Sequence, residues 1–275
     1  MAVKIILAAL CAIMIAGAFY FDPAPQQAPP LNNSSGKSRL RLMTWNVGYA
    51  DLEEDTRAHT KDLQAIAEVI AAHDPEAVAL QELTGQDQLN TLLTHLGGRY
   101  RGAVARAAGH DRVEALLVKD RNARFENVRA ENKFALGAIF RPAANAAEIV
   151  FVSAHADAFS AARRRAYTED VVDWSRARSN ARFVFIAGDF NFELAARDRS
   201  HFYTDNLKHD SEAYSYLLKY FRDLGLEAGD TAINDRRIDY IFVQPRAVSP
   251  RRAAVLRDAA VGRMDHWPLL VEVDL

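Results

Sequence analysis

Runs of strand length, each closed by a polar cluster, constrain the fold of this chain more than any other feature. Leu40 to Trp45 alternates apolar and polar side chains and stops at Asn46, and Ala77-Val78-Ala79-Leu80 stops at Gln81-Glu82. Ile149 to Ser153 runs into Ala154-His155, and Phe183 to Ala187 into Gly188-Asp189-Phe190-Asn191. Strands are also expected at Val113–Val118, Phe134–Phe140, Ile238–Val243 and Leu269–Val273. Helical spacing lies between them. Leu63, Ile66, Ala67 and Ile70 share one face ahead of Asp74-Pro75, and Leu89, Leu92, Leu93 and Leu96 share another ahead of Gly97-Gly98. A third helix, over residues 161–178, should turn Val171, Val172 and Trp174 inward; a fourth carries Tyr214, Leu217, Leu218 and Phe221 and should be capped near Gly225. Strands interleaved with fewer helices predict an α/β domain that begins near Arg39 and covers its sheets with further layers. The polar strand ends would then meet on one rim, where loops carry function on a rigid scaffold.

With 49% hydrophobic and 25% charged residues in 275, the chain can bury the core of one large domain. Its net charge of −2 rules out a whole-molecule field that attracts polyanions, so any such attraction must be local. Most cations are arginines, clustered at Arg163-Arg164-Arg165, Arg236-Arg237 and Arg251-Arg252; these suit bidentate phosphate contacts or simply solvated helix faces. The single cysteine, Cys11, precedes the domain, so the domain has neither an intrachain disulfide nor a thiolate-bound metal. Lys4, the apolar run Ile5 to Phe21 with Ala16-Gly17-Ala18 near its end, and a Pro/Gln/Asn/Ser stretch to Ser38 form a leader and linker. Residues 4–21 read equally as a signal peptide cleaved after Ala18 or as a membrane anchor. In either case residues 39–275 are expected outside the cytoplasmic membrane, as a periplasmic, secreted or tethered domain. A monomer is the expected state.

The polar clusters have definite chemical uses, and each has a structural explanation beside them. Glu82 follows a buried run, where a carboxylate needs a cation or hydrogen bonds; a salt bridge or a hard divalent metal would serve. Asn46, Glu82 and Asp265 offer the oxygen ligands that magnesium prefers. In the 188–191 tetrad, strand alternation would send Asp189 and Asn191 to one side and Phe190 into the core, giving a carboxylate and an amide that could orient and deprotonate water. The same tetrad could be an Asx turn closing a strand. His155 and His266 could be core histidines. Alternatively, Asp239 could accept from a histidine ring, fix its tautomer and support an imidazolium that stabilises a phosphorane-like transition state.

Thr44-Trp45-Asn46-Val47, Gln81-Glu82-Leu83, Ser153-Ala154-His155, Gly188-Asp189-Phe190-Asn191, Arg237-Ile238-Asp239-Tyr240 and Asp265-His266-Trp267-Pro268 occur in this order. Together they resemble the motif set of the endonuclease/exonuclease/phosphatase superfamily over about Arg39 to Leu275. The resemblance implies a four-layer α/β sandwich, with two packed mixed sheets flanked by helices, and Mg²⁺- or Mn²⁺-dependent phosphoester hydrolysis. It also implies roles: Asn46 and Glu82 bind or orient the metal with Asp265 near it, Asp189 acts as base or positions water, and Asn191 holds Asp189 and the phosphate. His155 would contact the phosphate, and His266, oriented by Asp239, would face the phosphorus. Two features depart from the pattern. Residues 112–118 carry Glu114 where relatives often have a Gly-rich strand, sometimes with a phosphate-contacting tyrosine, and no acid clearly follows Asn46, Asp51 being a candidate by proximity alone. Nucleic acid is the first expected substrate, with residues 161–178 as a phosphate-tracking surface; phospholipid or inositol phosphate is the second. A binding module that kept the fold without catalysis is the alternative from another class.

Overall fold

The computed structural model describes residues 39–275 except 49–59, 107–108, 110, 143–146, 179, 195–203, 260 and 263. The leader and linker expected over residues 1–38, and Asp51, lie outside the described residues. Among those described, no helix is long and apolar enough to cross a membrane.

In chain order the elements are β1 (Arg39–Asn46), α1 (Thr60–His73), β2 (Ala77–Leu83), α2 (Gln86–His95), β3 (Arg101–Val104), β4 (Val113–Val118), β5 (Arg124–Ala130), β6 (Lys133–Phe140), β7 (Ile149–His155) and α3 (Ala161–Arg176). They continue with β8 (Phe183–Asp189), α4 (Leu207–Tyr220), β9 (Arg222–Asp223), β10 (Asp239–Gln244), β11 (Pro250–Val255) and β12 (Leu269–Asp274). Two six-stranded mixed sheets form, ordered β11-β12-β1-β2-β4-β3 and β5-β6-β7-β8-β10-β9. The strands and helices expected from the sequence are present. Those not anticipated, β3, β5, β9 and β11, are the four sheet edges. The fourth helix stops at Tyr220 rather than near Gly225, because the chain turns at once into β9, which pairs with β10.

Strand alternation builds three apolar layers from one set of strands. Leu40, Leu42, Ala77, Ala79, Leu116, Val118, Phe151, Phe185, Ile241 and Val243 meet between the sheets. The opposite faces of β1, β2 and β4 pack Met43, Trp45, Val78, Leu80 and Leu117 against Leu63, Ile66, Ile70, Leu89 and Leu92 of α1 and α2. The outer face of the second sheet packs Val150, Val152, Ile186, Tyr240 and Phe242 against Val171, Val172, Ala213 and Leu217 of α3 and α4. The result is the four-layer α/β sandwich.

One arginine of α3 is a buried anchor, and those at the surface lie beside acids. Arg164 is fully buried and grips Asp210 of α4 with two bonds, Nε to Oδ1 at 2.7 Å and Nη2 to Oδ2 at 3.0 Å. Arg165 pairs with Glu169 and Glu212, Arg163 with Asp157, Arg176 with Asp173, and Arg178, just past the helix, with Glu126. A guanidinium inside a protein must be paired, and the acids of α4 and β5 needed for this are remote in sequence.

Two motif glycines are required by close approach. Gly188 has φ 144°, and a Cβ there would run into the backbone carbonyl of Ala154 on β7. A Cβ on Gly48 would strike the Glu82 carboxylate. Gly188→Ala should therefore lower unfolding free energy by about 3 kcal/mol or more, read by urea denaturation, since it combines backbone strain with a backbone clash.

Candidate active site

The inter-sheet face changes character along its strands. On β1 it runs Leu40, Leu42, Thr44, Asn46; on β7, Ile149, Phe151, Ser153, His155; on β8, Phe183, Phe185, Ala187, Asp189. Ladder register aligns the ends: His155 lies beside Asp189, and Asp189 beside Asp239, across β7, β8 and β10. In the facing sheet Asn46 lies beside Gln81. A middle polar layer joins the sheets, where Gln81 Nε2 donates to Ser153 Oγ at 3.1 Å and Ser153 Oγ to Leu80 O at 3.2 Å.

Glu82 reaches this face through a β-bulge. The β2–β4 register shifts between Leu80 and Leu83, and Glu82 has φ 67°. The extra residue lets Gln81 and Glu82, neighbours in sequence, both serve the inter-sheet side.

Asp189 is the hub. Its Oδ2 accepts from Asn46 Nδ2 at 3.1 Å, and its Oδ1 from the Asn191 backbone N–H at 2.9 Å. His155 Nε2 and His266 Nε2 stand 3.7 and 3.8 Å from Oδ2. Those separations exceed a hydrogen bond and suit an oxygen shared between the groups. Asn46 Nδ2 also donates to Glu82 Oε1 at 3.0 Å, so one amide bridges two carboxylates from different sheets. Its Oδ1 accepts from Gly48 N at 2.9 Å.

His266 Nδ1 lies 2.8 Å from Asp239 Oδ2, as the sequence suggested. Trp45 of the first motif and Thr231, outside the motifs, hold this pair in place. Trp45 Nε1 donates to the His266 carbonyl, and Thr231 Oγ1 accepts from the N–H groups of Ile238 and Asp239. Asp265 Oδ1 is 4.0 Å from His266 Nε2 and does not touch Asn46 or Glu82 through any hydrogen bond described. Asn191 departs from the expected alternation. Since β8 ends at Asp189, Phe190 enters the core, Asn191 turns to φ 52°, and its side chain donates to Ala156 O at 3.4 Å. The tetrad is thus an Asx turn whose N–H steadies Asp189.

Three neighbours were not assigned site roles from sequence. Glu114, buried on β4, lies 3.9 Å from His155 Nδ1; Tyr167 Oη accepts from His155 N; and Arg112 ion-pairs with Glu82. An acid inside the otherwise apolar run 113–118 was the available signal for Glu114.

The sequence model of the Endonuclease/Exonuclease/phosphatase family matches residues 43–266, the span that holds every one of these groups. The chain belongs to the endonuclease/exonuclease/phosphatase family. It is accordingly a hydrolase of phosphoester bonds, of a divalent-metal-dependent family. An endonuclease/exonuclease/phosphatase from Bacteroides vulgatus superposes with TM-score 0.68 at 19% identity, covering 87% of this chain and 100% of that one. The human Nocturnin catalytic domain, solved with a bound sulfate anion, gives 0.64 at 17% identity over 86% of this chain and 93% of that one. TDP2 from Caenorhabditis elegans gives 0.61 at 15%, over 86% and 75%. No curated protein matches the sequence.

The family's cation fits the donor set present. Among the described residues Glu82 Oε2 and Asp239 Oδ1 are buried carboxylate oxygens without a hydrogen bond, the former ion-paired with the Arg112 guanidinium. Asp189, Asp239 and His266 also offer ligand atoms within 4.8 Å of one another. The Asp239–His266 contact, however, commits one of those oxygens to the imidazole.

The family's two site histidines carry different charge. Burial alone would lower the pKa of His266, but the Asp239 charge and hydrogen bond, with Asp189 and Asp265 behind them, raise it to about 9. His155 is lowered to about 3, by burial first and by the Lys133 ammonium second. Burial lifts Glu114 to about 7. At neutral pH His266 is an imidazolium and His155 a neutral ring. In chelator-treated protein, NMR titration should show His266 losing its proton near pH 9, and Asp239→Asn should bring that midpoint down by more than a unit. A wild-type midpoint at 6.5 or below would overturn the pairing. The same raised pKa means His266 stabilises the fold fully below about pH 6.5, a contribution lost as pH rises through about 9.

Proposed function

We propose that this phosphoesterase is a phosphodiesterase whose cation is held by Glu82 and Asp265, with Asn46 orienting Glu82. The observation that carries the reading is the convergence of Asn46, His155 and His266 on Asp189, with Asp239 behind His266. A Mg²⁺ or Mn²⁺ ion in that seat would neutralise charge on the phosphate oxygens. Asp189, steadied by Asn46 and by the Asn191 N–H, orients a water and accepts its proton. His266, charged and fixed by Asp239, donates from Nε2 to a phosphoryl oxygen as negative charge builds. His155, neutral, donates to a second oxygen without adding charge.

Nucleic acid is the first substrate class we propose. Binding that uses the exposed arginines of α3 would weaken steeply as salt rises. Export of the domain is part of the same proposal, supported by the run Ile5 to Phe21 and the polar linker after it. Cell fractionation after expression should recover the protein outside the cytoplasm; a wholly cytoplasmic protein would refute export.

Asp189→Asn and His266→Ala should each lower turnover of an aryl phosphodiester by about 10²-fold or more in protein that circular dichroism shows to be folded, with His266→Ala melting at a lower temperature because it leaves Asp239 buried without its partner. Chelation should stop the wild type, and Mg²⁺ or Mn²⁺ should restore it. Unchanged rates in both variants would sink the mechanism. In a panel of DNA, RNA, sphingomyelin and phosphoinositide, cleavage of a lipid with both nucleic acids left intact would replace the nucleic-acid reading.

A further inference from the structure

Arg112 stands immediately before β4, and Glu82 occupies the bulge of β2; Leu83 and Val113, one residue beyond each, are ladder partners. The two side chains therefore leave adjacent strands toward the same rim. Their ion pair joins Nη1 to Glu82 Oε2, while Glu82 Oε1 is occupied by the Asn46 amide. Neither side chain is freely solvated, with relative exposures of 19% and 16%. Burial lowers the Arg112 pKa, and the Asp265 charge opposes that shift. The guanidinium thus serves the Glu82 carboxylate by direct contact.

We propose that Arg112 is the resident counter-cation of Glu82, that a divalent metal displaces it, and that the freed guanidinium then grips the substrate phosphate. This rests on the reading of Glu82 as metal ligand. A guanidinium and a divalent ion at one carboxylate oxygen repel each other, and the repulsion is strong where solvent is largely excluded, so metal binding weakens the Arg112 contact. Among the described residues Glu82 and Arg112 line one small pocket with Val47, Leu63, Leu83 and Met264, so the pair sits at a surface opening. A guanidinium released there presents a planar fork, the geometry for which arginine is suited to phosphate. The pairing also keeps the acids charge-balanced before metal arrives, limiting the repulsion among Glu82, Asp189 and Asp265.

The test is calorimetric titration of Mn²⁺ into chelator-stripped full-length protein, with melts to confirm folding. Arg112→Gln should bind Mn²⁺ about tenfold more tightly than wild type, with Arg112→Lys between them. Glu82→Gln should lose the binding. If Glu82→Gln loses Mn²⁺ while Arg112→Gln binds it no better than wild type, the displacement idea fails and the metal seat stands. If Glu82→Gln binds Mn²⁺ like wild type, both fall. With Mn²⁺ saturating, inorganic phosphate should bind Arg112→Gln several-fold more weakly; equal affinity would overturn the phosphate-gripping step.

Discussion

The face that the two sheets turn toward each other is apolar at one end of its strands and polar at the other, and the site depends on that gradient. At the apolar end, Leu40, Phe151, Phe185 and Val243 bury against one another and hold the sheets in register. At the polar end the same alternate positions become Asn46, His155, Asp189 and Asp239. Between them, Gln81 and Ser153 link the sheets through hydrogen bonds satisfied away from water. Burial therefore sets the spacing of the polar groups at the candidate site without any of them contributing to the apolar core.

Charge balance then separates groups of the same chemical type. His266 is held by a carboxylate and carries a proton; His155, a few ångströms away across Asp189, is buried beside a lysine and stays neutral. Among the acids, Glu82 meets Arg112, Asp189 meets amide donors, and Glu114 faces a neutral ring, so burial raises its pKa. Two histidines and several carboxylates thus acquire distinct jobs through neighbours supplied by different strands.

The interior of each sheet was legible because an interior strand is flanked on both sides and covered on both faces, which demands a near-continuous apolar run. All four edges escaped notice for the converse reason. The edge strand β5, Arg-Phe-Glu-Asn-Val-Arg-Ala, and β11, Pro-Arg-Arg-Ala-Ala-Val, keep charged residues exposed, as an edge must to discourage further pairing. Arg164 misled in the other direction. Inside an arginine-rich segment it reads as surface, and only Asp210, 46 residues later, makes it a buried anchor between α3 and α4.

The sequence by itself determined the interior strands, the helices that cover them and the motif residues that meet at the candidate site, since all of these are written in local periodicity and ordered motifs. Tertiary structure decided how those members divide the work. The Asn46 amide reaches Asp189, 143 residues away, and joins it to Glu82, Asp239 charges His266, and the bulge aims Glu82 at Arg112. Such relations depend on distances of 3 to 4 Å between groups on different strands. Those distances exist only once two sheets have packed, because electrostatic coupling follows separation in space and not separation along the chain.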